Sequence, residues 1–131
     1  LNHLDPSSFP NESMLNIVNA NDMHWDWNPG YIFLKIEAKV DTIPDGIALF
    51  NHNVIYHVGL DDNMQSLSIP NLSAAKIENE NIFSLKLDMK AFLEGPQLID
   101  VKTESSSHSA AGQDPLTLKV LQNFNAAITS F

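Results

Sequence analysis

Apolar and polar positions alternate most clearly in Tyr31–Val40. Ile32, Leu34, Ile36, Ala38 and Val40 fall on one face, and Lys35, Glu37 and Lys39 on the other. A period of two predicts a half-buried antiparallel strand, with Ile32, Leu34 and Ile36 inward and Lys35 and Glu37 in water. Val54–Leu60 repeats the pattern, with Val54, Tyr56, Val58 and Leu60 opposite Ile55, His57 and Gly59. A third alternation runs over Ile82–Met89, with Phe83, Leu85, Leu87 and Met89 opposite Ser84, Lys86 and Asp88. Ile47–Phe50, Leu67–Ile69 and Leu98–Lys102 are shorter strand candidates. The period changes only near the end. Asp114 is a good N-cap, Pro115 suits a first helical position, and Val120, Leu121, Phe124, Ala127, Ile128 and Phe131 form a stripe at helical spacing. A helix over 115–130 is expected, with Val120, Phe124 and Ile128 inward. Residues 1–30 read as a long ordered loop anchored by Leu15, Ile17, Val18, Trp25 and Trp27, with Asn28-Pro29-Gly30 as a turn. The expected fold is mainly β, an antiparallel β-sandwich with one C-terminal helix.

Composition narrows what such a fold can do. The 131 residues fit one domain, and 44% hydrophobic against 18% charged residues allows a packed core. Seven Lys and Arg against sixteen Asp and Glu give 7 − 16 = −9, which repels phosphate backbones and anionic membrane surfaces. The absence of cysteine excludes disulfides, thiolate metal sites and a cysteine nucleophile. No apolar run reaches the ~20 residues that span a bilayer. Leu1-Asn2-His3-Leu4-Asp5-Pro6 reads as the middle of a longer chain whose targeting segment has been removed.

Five histidines are the unusual ingredient. His24 sits in Met23-His24-Trp25-Asp26-Trp27, His57 on the outward face of a strand, His108 in the Ser- and Ala-rich loop 104–112, and His3 and His52 at loop positions. No two have the spacing of a local metal motif, so the fold must assemble any site. A hydrogen-bonded structural residue is the plain alternative for His57. No phosphate-cradling glycine loop or nucleophile elbow is present, and Asp61-Asp62-Asn63 lacks the spacing of a calcium loop. The two tryptophans either anchor the loop to the sheet or form a stacking platform for a sugar or protein ligand.

Residues Met23–Glu37 resemble the segment M-x-W-x-W-x-x-G-Y-I-x-x-K-x-E of MbnP-like domains. Tyr56-His57-Val58-Gly59 resembles the aromatic-His-x-Gly strand of that family. Ser107-His108-Ser109, leading into a helix with Asn123-Phe124 and a terminal Phe131, resembles its closing segment. His24 departs from the pattern, standing where many relatives carry an aromatic residue. The resemblance implies an exported, periplasmic or cell-surface bacterial protein, often a lipoprotein, that is not an enzyme. It also implies copper, as the cuprous ion, held by imidazoles and an oxidised tryptophan, with a di-haem, MauG-like peroxidase as the oxidising partner. Carried over by position, His57 is the expected imidazole and Trp25 and Trp27 are the candidates for oxidation. His24 or His108 would complete a nitrogen set near the His57 ring, with a carboxylate or carbonyl such as Asp26 on its other nitrogen. The family domain begins before the equivalent of Leu1, so residues 1–131 are expected to be one β domain without its N-terminal strands, and to leave a sheet edge open.

Overall fold

The computed structural model describes residues 4–25, 30–109 and 114–130. His3, Asp26, Trp27, Asn28, Pro29 and Phe131, which the sequence had singled out, lie outside the described residues.

Strands β1 (Ile32–Val40) and β2 (His52–Gly59) pair antiparallel. Leu34↔Val58 and Ile36↔Tyr56 turn to the core, and Lys35↔His57 and Glu37↔Ile55 turn away. One irregularity interrupts the ladder: Ile32 pairs with Gly59 but Leu34 already pairs with Val58, so Phe33 is an extra residue. The strict alternation expected for Ile32 therefore fails at the bulge. Ile32 is buried, yet lies outside the main core cluster that takes Leu34 and Ile36. Lys35 is half-buried rather than in water, and Glu37 is exposed.

A two-residue strand β6 (Ser106–Ser107) joins β2 on its other side, parallel to it, giving the sheet order β1-β2-β6. β1 stands at its edge. Two ribbons complete the strands. β3 (Ala74–Ile77) pairs antiparallel with β4 (Glu80–Phe83), and β5 (Leu85–Leu87) pairs with β7 (Ile128–Ser130).

The alternation over 82–89 is thus three elements. Its last residue opens helix α1 (Met89–Glu94), because Asp88 accepts hydrogen bonds from the Lys90 and Ala91 amides and caps the turn. Helix α2 (Pro115–Ala127) starts as expected, with Asp114 accepting from the Leu116 amide and Pro115 in the first turn. It ends three residues earlier than expected, since Ile128 leaves the helix to pair with Leu87. Phe124 and Ile128 are partly buried; Val120 is fully buried.

The main core joins Val54, Tyr56 and Val58 to Phe92 of α1, Ile99, and Val120, Leu121 and Ala127 of α2. Among the described residues the layer on the sheet's inner face is therefore built chiefly from α1 and α2. The mostly β character and the main C-terminal helix agree with expectation. Buried Asn123 ties the two helices, donating to the Phe92 carbonyl (2.8 Å) and accepting from the Gln97 amide (3.0 Å).

Two of the three short strand expectations fail for one reason, side-chain oxygens competing for strand amides. In 41–51, Asp41 takes the Ile43 and Leu49 amides and Asp45 takes that of Ile47, so Ile47–Phe50 is irregular. In 98–102, Asp100 takes the Lys102 amide and the Thr103 hydroxyl, and its carbonyl takes the amides of Thr103 and Glu104, making a turn. Leu67–Ile69 forms no strand either. In the opening loop Ile17 and Val18 are exposed, whereas Trp25 is buried as an anchor, and buried Asn16 ties the loop to itself, donating to the Phe9 carbonyl and accepting from the Val18 amide. No helix among the described residues is long and apolar enough to cross a membrane.

Candidate functional site

Because Tyr56 and Val58 face the core, the strand's alternation aims His57 outward, and its side chain keeps 14% of its surface exposed. Its Nε2 lies 2.7 Å from Glu37 Oε1, and Lys35 Nζ lies 3.5 Å from the same oxygen. The hydrogen bond from His57 and then the charge of Lys35 hold the Glu37 carboxyl below the usual carboxylate range, against some desolvation.

His108 reaches the same place from the opposite side of β2. Its ring is exposed and stands edge-on to that of His57, with centroids 5.0 Å apart and planes at 79°. The segment that carries it is clamped on both sides. Ser109 donates its hydroxyl to the His57 carbonyl (3.0 Å) and accepts from the Gly59 amide (3.2 Å), with φ at +47°. Ser107 donates to Asp114 (2.5 Å) and lies 2.6 Å from the Thr117 hydroxyl, which fastens the segment to the start of α2. Ser106 Oγ is 3.4 Å from His108 Nδ1.

Trp25 is 5% exposed. A Cβ on Gly59 would stand 2.6 Å from two atoms of its six-membered ring and 2.6 Å from the Tyr31 carbonyl oxygen. Only glycine admits that approach. The indole therefore lies against the strand two residues beyond His57, on the outward face. This removes Trp25 from a solvent-facing stacking platform; Trp27 lies outside the described residues.

His24 goes elsewhere. Its ring packs edge-on against Tyr31, centroids 5.2 Å apart, and its Nδ1 is buried with no hydrogen-bond partner among the described residues. The Tyr31 hydroxyl donates to the Leu15 carbonyl at 2.5 Å. His52 Nε2 lies 2.9 Å from the Val101 carbonyl, a structural contact. Among the described residues no group of three or more His, Asp or Glu side chains could hold an ion. The structure thus brings His57 and His108 together, sets Trp25 nearby, and does not add His24 to them.

Sequence reasoning missed Glu37, which it read as a solvated strand residue. The signal was available in the pairing of two alternations, since outward residues of neighbouring strands meet.

The MbnP family model matches residues 1–110. The chain belongs to the MbnP family. No curated protein and no solved structure matches it. The MbnP match takes in Trp25, Glu37, His57 and His108 and stops before α2, so every residue of the outward cluster lies within the matched part.

Proposed function

We propose that this MbnP-family chain is an exported, non-enzymatic copper-handling protein, of the periplasm or cell surface, that holds a cuprous ion between His57 and His108. The observation that carries the reading is the 5.0 Å separation of the two rings on the sheet's outward face. Imidazoles at that distance, one on β2 and one just past β6, can offer a nitrogen each to one ion, and cuprous copper accepts few ligands. The donor set fits: two imidazoles, no thiolate, and a carboxylate on one nitrogen of the His57 ring. Trp25 and Trp27 are the candidates for an oxidised ligand, with a di-haem, MauG-like peroxidase as the partner that would oxidise them.

Anaerobic titration with cuprous ion against a chromophoric chelator tests this. Stoichiometric binding lost in His57→Ala and weakened in His108→Ala is expected. Binding by the double variant equal to wild type would sink the reading. A peptide mass map of protein made with and without a di-haem peroxidase tests the tryptophans; no conversion at either position would remove that partner.

A further inference from the structure

Lys35 stands directly opposite His57 in the register, and Glu37 lies one step along the same face of β1. Diagonal cross-strand neighbours are within reach of long side chains, so the pleat alone delivers the carboxylate to the ring. The contact is 2.7 Å, and Lys35 stands over the same carboxylate oxygen at 3.5 Å. An ionised carboxylate can only accept a hydrogen bond. Nε2 must then carry the hydrogen, and in a neutral imidazole the lone pair is left on Nδ1.

We infer that Glu37 is a positioning residue that locks His57 in the Nε2–H tautomer and presents Nδ1 as the ligand nitrogen, which rests on the copper reading only for what that nitrogen binds. Lys35, 3.5 Å from the same oxygen, helps hold the carboxylate beside the ring. The same hydrogen bond makes Nδ1 a stronger donor to a metal. His52 has no such carboxylate; its Nε2 faces a backbone carbonyl.

Long-range proton–nitrogen correlation spectra of the copper-free full chain report which imidazole nitrogen is protonated. At a pH where His57 is neutral, the wild type should show Nε2–H alone. Glu37→Ala should show both tautomers, and Glu37→Gln, whose amide oxygen can still accept, should return towards Nε2–H. Glu37 is exposed, so neither variant threatens the fold. The same tautomer in all three proteins, or Nδ1–H in the wild type, overturns the inference. In a separate arm, cuprous ion should shift the His57 Nδ1 resonance and bind Glu37→Ala about 10- to 100-fold more weakly. If the tautomer follows Glu37 but no cuprous ion binds, the positioning role stands and the copper reading falls. If cuprous ion binds wild type and Glu37→Ala with the same measurable affinity, the positioning role falls and the copper reading stands.

Discussion

In β2, Val54, Tyr56 and Val58 meet Phe92 of α1 and Val120 of α2, and all five are buried. In the β3–β4 ribbon, Ile77, Ile82 and Phe83 are equally apolar, and all are exposed. Both regions are antiparallel and both contain strand-forming residues. What separates them is a second layer, because a strand's apolar face contributes stability only when something removes it from water. The helices supply that layer under β2. On the outward face, away from the helices, His57 and His108 meet.

Changes in the two regions should therefore differ widely in cost. Tyr56→Ala is the largest expected effect. It opens a cavity beside Phe92, whose ring centroid is 6.3 Å away, and strands the Glu104 carbonyl that the tyrosine hydroxyl reaches at 2.6 Å. A loss of about 3–5 kcal/mol in urea denaturation is expected. The same hydroxyl should resist ionisation, because burial and the nearby Glu104 push its pKa up to about 12. A loss below that of a surface substitution would mean the helices do not define the core.

Gly59→Ala comes next, since its new Cβ meets the Trp25 ring and a backbone oxygen at 2.6 Å. Overpacking of this kind costs about 1–3 kcal/mol. Tryptophan emission should shift with it, and unchanged stability and emission together would refute the close approach.

Asp114→Ala removes the cap of α2 and the anchor of the His108 segment, at about 0.5–2 kcal/mol. Burial pushes this carboxyl up, but hydrogen bonds from Ser107, Thr117 and two amides outweigh it and hold the pKa below its ordinary value. A depressed folded-state pKa stabilises above the unfolded value, about 3.9, and that contribution disappears as pH falls through the folded value. Asp114→Asn should therefore flatten the acid limb of the stability curve while leaving its shape above pH ~6 unchanged. An unaltered acid limb would show that other carboxylates carry it.

Phe83→Ala is the smallest, within about 0.5 kcal/mol. A larger loss would mean that something covers the ribbon in solution.

Legibility followed the range of the interactions. β1, β2 and the Asp114-Pro115 start of α2 are written in neighbouring residues, and the outward aim of His57 follows from Tyr56 and Val58 beside it. The β1 bulge was hidden, since nothing near Phe33 marks an extra residue. Asp88 was readable as a cap, but the alternation around it concealed the signal. The meeting of His57 with His108 depends on a two-residue parallel pairing between segments distant in the chain, which no local pattern encodes.

That distance has a thermodynamic side. His57 and His108 are 108 − 57 = 51 positions apart, and the chain has no cysteine with which to staple itself. An ion gripping both rings would close that loop in any state that retained it, acting as a reversible cross-link. By the chain-entropy rule for a disulfide closing a loop of that length, such a link is worth ~4 kcal/mol against the unfolded ensemble. A protein so built would register the ion in its melting temperature as well as in its ligand sphere.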